Sequence, residues 1–167
     1  MLLRSLAGGA AIALLVLSGC SGSSSKSGSG SGQNTSVFKL KIGDCIVPPT
    51  DIKAEITGVN VVKCTMPHTQ EVFAMVDYVA TAPAGAVTSV TSKSDSYPGD
   101  TALRTAANGL CLQKYGAYIG VDYRDSTLFY TYLLPSARSW GNRDRSIVCI
   151  ITTTGQQLTA SVKGSKR

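Results

Sequence analysis

The chain has 167 residues, with 16 lysines and arginines against 10 aspartates and glutamates, for a net charge of +6 at pH 7. That length holds one ordinary domain and leaves no room for several. The basic residues are scattered except in the tail "KGSKR", a distribution that suits solubility or weak attraction to anionic lipid or wall polymer.

The first stretch, "MLLRSLAGGAAIALLVLSGC", carries one positive charge at Arg4, then an apolar run from Leu6 to Leu17, then small residues and Cys20. The run is shorter than the roughly 20 residues that span a bilayer. It has the order of an export signal. "LSGC" resembles the bacterial lipobox, which makes residues 1–19 a lipoprotein signal peptide and Cys20 the lipidated mature N-terminus. Two or more acyl chains anchor stably where one does not. Residues 20–36 follow as a Gly/Ser-rich tether without a large apolar side chain, with a reach of about 20–25 Å. The expected location is the extracytoplasmic face of the cell membrane, a compartment that excludes nucleic acid as a partner.

The folded domain is expected over residues 37–167. "SVFKLKIGDC" alternates apolar and polar residues and reads as a strand ending at the turn "GD". Gly58–Cys64 and Glu71–Ala80 read as two further strands joined through "TMPHTQ" as a hairpin. In the second, Val72, Ala74, Val76 and Tyr78 would share one face. Thr81–Gly99 is small and polar, a loop. From Asp100 to Tyr118 the apolar period changes to three and four, predicting a helix capped by Asp100 and stopped by Gly120. Leu103, Ala107, Cys111 and Tyr115 fall on its inner face, and the stem of Lys114 joins the apolar stripe. Ser126–Pro135 is a strand, "SARSWGNRD" a helical turn capped by Ser136, and Arg145–Thr154 a strand facing inward with Ile147, Cys149 and Ile151. "LTASVKG" closes as a last strand. Five to six strands and one principal helix predict an α+β fold, a mainly antiparallel sheet with the helix packed on it.

Four cysteines remain after Cys20: Cys45, Cys64, Cys111 and Cys149. Outside the cytosol an even number reads as disulfides, with three connectivities possible for four cysteines. Cys111 on the helix and Cys149 in a central strand are placed to staple helix to sheet. Cys45 follows the first strand and Cys64 ends the second. The expected pairs are therefore Cys45–Cys64 and Cys111–Cys149, stabilising by roughly 3 and 4 kcal/mol in the chain-entropy model. No Cys-x-x-Cys pattern is present, and a single histidine does not complete a typical zinc site, so no metal or other cofactor is expected.

His68, the sole histidine, lies four residues after Cys64 and three before Glu71. No nucleophile-elbow, zincin or Ser-x-x-Lys motif accompanies it, so no catalytic residue is assigned. The structural reading makes His68 and Glu71 mutual hydrogen-bond partners at the hairpin turn, with Arg145 nearby. The functional reading puts them in a shared binding pocket. "SWGNRDR" raises the same choice. Trp140 beside Arg143 and Arg145 would suit a sugar or polymer carboxylate, or else Trp140 caps the core while Asp144 pairs with an arginine. Tyr115, Tyr118, Tyr130 and Tyr132 read as core residues with polar tips.

"IGDC", "VVKCTMPHTQEVFA", "YPGD", the helical Cys111, "YIGVDY" and "LLPSARSWGNRDRSIVCII" occur in that order. Together they resemble the actinobacterial septum-formation domain family, of which this chain looks like a lipoprotein member. Asn142 and Arg143 stand where that pattern more often has a small turn residue. The resemblance implies an envelope role in septum formation or cell division and supports the disulfide reading. The resulting expectation is a membrane-anchored, non-enzymatic binding module for an envelope protein or wall polymer. The alternative is an envelope enzyme or metal-dependent protein that uses His68 and Glu71.

Overall fold

The computed structural model describes residues 32–51, 55–78 and 96–167. The signal peptide, Cys20, the tether up to residue 31 and most of the predicted 81–99 loop lie outside the described residues. Six strands form one antiparallel sheet: β1 (Gln33–Ser36), β2 (Cys45–Val47), β3 (Gly58–Val62), β4 (Gln70–Asp77), β5 (Phe129–Leu133) and β6 (Ser146–Thr152). Their order across the sheet is β1-β3-β2-β4-β6-β5. Helix α1 (Asp100–Ile119) packs on one face, and the short α2 (Ala137–Gly141) precedes β6. The α+β class, the antiparallel sheet and the principal helix are as the sequence predicts.

Several local expectations change. The first strand does not run through "FKLKI". Val37–Lys39 is a turn of 3-10 helix, and strands lie on either side of it, β1 inside the stretch read as tether and β2 after the turn. That turn is where the sequence puts it: Gly43 has φ 96°, and Lys41 N donates to the Asp44 carboxylate at 2.8 Å. β3 and β4 are not a hairpin. β2 lies between them, pairing Cys45 with Val62 on one side and with Glu71 on the other. "LTASVKG" is not a strand either. Among the described residues it pairs with the 63–69 connection through an isolated bridge between His68 and Leu158.

A register shift between Val72 and Ala74 resets the alternation of β4. One extra residue moves every later side chain to the other face. Phe73, Ala74, Val76 and Tyr78 therefore face α1, while Val72 and Met75 face away, so Val72 leaves the face predicted for it. The larger core sits between the sheet and α1. Leu103, Ala107, Cys111 and Tyr115 all point inward as the helical period requires, and Ile147, Cys149 and Ile151 meet them from β6. Lys114 is exposed and lies outside the stripe. A smaller core on the opposite face joins Leu40, Ile46, Val59, Val72, Val148 and Ile150.

Both predicted disulfides are present, Cys45–Cys64 and Cys111–Cys149, separated by 19 and 38 positions in sequence. The second joins α1 to β6 through the middle of the larger core. Helix α1 is capped by Gly99 at φ 87° rather than by Asp100, which occupies the first helical position. Its negative charge there still complements the helix dipole. At the other end Gly120 adopts the left-handed conformation and its N–H donates to Gly116 O. The chain's tail then satisfies two further helix carbonyls: Gly164 N donates to Tyr118 O at 2.8 Å and Lys166 N to Ile119 O at 2.9 Å. Ser136 caps α2 in a reciprocal box with Ser139, as its position suggests.

Candidate functional site

His68 and Glu71 lie at one end of β4, and neither is open to solvent: His68 is 1% exposed and Glu71 0%. They are not each other's partners. His68 Nδ1 donates to Met66 O at 2.7 Å, closing the Pro67 turn on itself. Its backbone exchanges two hydrogen bonds with Leu158, at 3.0 and 2.7 Å. Nε2 has no hydrogen-bond partner among the described residues.

Glu71 instead gathers three donors from distant parts of the chain. Tyr118 Oη donates to Oε1 at 2.6 Å, Ser161 Oγ to the same oxygen at 2.6 Å, and Val162 N to Oε2 at 2.8 Å. Tyr118 ends α1 and Ser161–Val162 belong to the C-terminal segment, so one carboxylate ties sheet, helix and tail together. Burial first, and then the Glu71 carboxylate that accepts its proton, push Tyr118 above the ordinary tyrosine range. The Glu71 carboxylate also lies within 4.8 Å of the sulfurs of Cys45 and Cys64. Those sulfurs are bonded to one another. A disulfide offers no thiolate, the form that ligates a metal, so this donor set does not fit a metal centre while oxidised.

The second predicted group lies at the far end of β4, about 20 Å away at the usual strand rise. Trp140, 2% exposed, is packed edge-on between Tyr78 and Tyr97 at 5.7 and 5.8 Å. The Arg145 guanidinium lies over the indole at 3.7 Å, and its Nη1 donates to Trp140 O and Asp144 O at 2.7 and 2.9 Å. The Asp144 carboxylate accepts from Ser146 N. Trp140 and Arg145 are therefore interior groups, with Arg145 well away from His68 and Glu71. Of the five predicted binding residues only Arg143 is exposed, held in a left-handed turn at φ 67°. The structure brings these residues into two separate corners and not one site. Tyr115, Tyr118 and Tyr130 are core residues with satisfied tips, donating to Leu128 O, Glu71 and Asn108 O.

An open groove of about 420 Å³ lies beside the Trp140 cluster, and sequence reasoning did not identify it. Its apolar lining comes from Val37, Ile56, Leu133, Leu134 and Pro135. Glu55, Asp100 and Asp144 also line it, with Arg104 as the single basic residue among the described residues. Ser136 Oγ donates to Glu55 at 2.8 Å, and the Tyr97 hydroxyl donates to Asp100. That hydrogen bond, above burial and the charge of Asp100, raises Tyr97 to about 12. The groove's residues come from five separate stretches; "YPGD" and "LLPSARSWGNRD" stood out in the sequence as motifs, but nothing in them showed that they meet Val37, Glu55 and Arg104 in one groove.

Among the described residues no helix is long and apolar enough to cross a membrane. No curated protein and no solved structure matches the chain significantly. A model of one family, described as septum formation, matches residues 30–166, a span that begins just before β1 and includes the tail that pins Glu71. With that match covering the whole of the described fold, the chain belongs to the septum-formation family.

Proposed function

We propose that this protein is a lipid-anchored lipoprotein of the extracytoplasmic membrane face, whose domain acts as a non-enzymatic binding module in septum formation or cell division. The observation that carries this reading is the internal use of its chemically suggestive residues. His68 and Glu71 are buried, with Glu71 accepting three hydrogen bonds that hold the fold together. Trp140 and Arg145 are stacked on each other inside the domain. Open to solvent is a groove lined by apolar side chains together with Glu55, Asp100, Asp144 and Arg104, a mixture suited to recognition. The lipobox at Cys20 supports the anchor, and the family supports the division role.

Photo-crosslinking in growing cells, combined with a Cys20→Ser variant, tests the proposal. The parent should fractionate with membranes and capture an envelope partner during septation. The variant should leave the membrane fraction and fail to restore normal septa. A parent that stays in the soluble fraction, or a Cys20→Ser chain that septates normally, would contradict the anchor.

A second reading, an envelope enzyme or metal-dependent protein using His68 and Glu71, draws on His68 Nε2, which has no hydrogen-bond partner among the described residues. It predicts that His68→Ala keeps the fold and abolishes a hydrolytic activity. The binding reading predicts a change in stability alone.

A further inference from the structure

We infer that the groove between α1, the end of β5 and α2 is a docking site for a basic, extended peptide segment of a protein partner. The inference rests on the reading of the domain as a binding module and names its ligand class.

The first observation is sign. The chain as a whole carries +6, yet among the described residues the groove presents three carboxylates, Glu55, Asp100 and Asp144, against one cation, Arg104. The described residues place no lysine or arginine within ion-pair distance of those three carboxylates. Glu55 and Asp100 are each held by one hydroxyl, Ser136 and Tyr97 respectively. A carboxylate has about four acceptor positions, so both keep free capacity for an incoming N–H donor. Orientation by the hydroxyls lowers the entropy cost of engaging one.

The second observation is shape. The groove does not end at Asp144. A smaller cleft lined by Phe38, Met75 and Val148 adjoins it, sharing Val37, Leu133 and Asp144, and another runs along Ser139 and Asn142. Phe38 stands between them at 64% exposure. A run of adjoining clefts lined by both acidic and apolar residues suits a chain that alternates basic and aliphatic side chains, whose aliphatic stems also cover apolar surface. Tyr97 and Tyr132 line the same groove, and aromatic rings attract a cation placed over them. Anionic lipid headgroups and anionic wall polymers are disfavoured here because like charges repel. Of the two partner types expected from the sequence, the groove therefore favours a protein.

The test uses the purified full chain in nonionic detergent and a labelled hexapeptide, Ser-Leu-Lys-Val-Lys-Ser, read by fluorescence anisotropy. The peptide should bind, and the same peptide with glutamates or acetyl-lysines should not. Glu55→Gln combined with Asp100→Asn should weaken binding at least fivefold. Arg104→Gln, which removes the competing cation, should strengthen it, an effect that a merely structural role would not produce. Asp125→Asn, outside the groove, should leave binding within twofold. These substitutions alter exposed side chains, and melting curves confirm that each variant is folded.

The inference is overturned if the lysine peptide does not bind, if the acetylated peptide binds equally, or if the double variant matches the parent. It is also overturned if free spermidine displaces the peptide at equal concentration, which would make a small polyamine the ligand. Photo-crosslinkers placed at Phe38 or at Leu112, on the outer face of α1, separate this inference from the broader reading. Capture at Phe38 that disappears in the double variant supports the groove. Capture at Leu112 alone leaves the binding module standing and removes the groove. Capture at neither position counts against both.

Discussion

Glu71 offers the sharpest test of how this fold is held. Replacing it with alanine strands three donors at once: the Tyr118 hydroxyl, the Ser161 hydroxyl and the Val162 N–H. A buried donor left without an acceptor costs about 1–3 kcal/mol. Tyr118 and Val162 are buried and count in full, whereas Ser161 is exposed and can turn to water. The expected loss for Glu71→Ala is therefore about 3 kcal/mol, a large part of the roughly 5–15 kcal/mol that holds a domain folded. For a domain of this size that lowers Tm by about 10–15 °C. Glu71→Gln should cost less, about 1–2 kcal/mol, because the hydroxyls can rotate to accept from the amide while its oxygen keeps the Val162 bond.

The assay is guanidinium unfolding with the disulfides intact, followed by Trp140 fluorescence. Tyr118→Phe should cost about 1–2 kcal/mol in the parent and almost nothing in the Glu71→Ala background, a coupling that a double-mutant cycle measures directly. Amide exchange at Val162, Gly164 and Lys166 should quicken in Glu71→Ala, since the tail loses its anchor. The reasoning is refuted if Glu71→Ala lies within about 0.5 kcal/mol of the parent, or if the cost of Tyr118→Phe is the same in both backgrounds.

Alkaline titration gives a second check, since Tyr118 is raised above the ordinary tyrosine range, first by burial and then by Glu71. That contribution is complete below pH about 10, where the unfolded chain also keeps the proton, and is lost as pH rises through the folded value. Unfolding free energy should stay flat to about pH 9 and decline beyond pH 10, less steeply in Tyr118→Phe, with Tyr115, also raised by burial, supplying part of what remains. Removing Cys111–Cys149 by paired alanines should cost about 4 kcal/mol against about 3 for Cys45–Cys64, as the longer loop regains more freedom when unfolded; thermal melts without reductant measure both. Arg145→Lys keeps the charge but loses the planar stack on Trp140 and the forked donation to two carbonyls, and should destabilise by about 1–2 kcal/mol. The Trp140 emission of the folded protein should shift in that variant, and an unchanged spectrum together with unchanged stability would show that the stack contributes little.

The elements legible in the sequence share a cause. The inner face of α1, the inward residues of β6, the cap at Ser136 and the stop at Gly120 depend on neighbours within a turn or two, so local period and backbone chemistry determine them. The disulfides were legible because each half lay at a position whose facing could be inferred locally. Strand order was not. β2 has three residues and is inserted between β3 and β4, separating two strands that are consecutive in sequence. β1 has no apolar pattern and becomes a strand because β3 presents an edge to it. The bulge at Val72/Ala74 leaves no mark in the alternation it interrupts.

Glu71 shows the same division at the level of a single residue. Its place three residues after the histidine of a turn suggested a partnership with His68, because proximity in sequence is the only proximity a sequence displays. Its three partners lie 47, 90 and 91 positions away. By itself the sequence determined the class of the fold, the principal helix and the cysteine pairs. Only the tertiary structure decided that Glu71 is an internal anchor, that Trp140 and Arg145 stack in the interior, and that scattered acidic residues line one groove. The physical reason is that a buried polar group is satisfied by whatever donor the packed chain brings within hydrogen-bond reach, and packing joins residues that local pattern cannot relate.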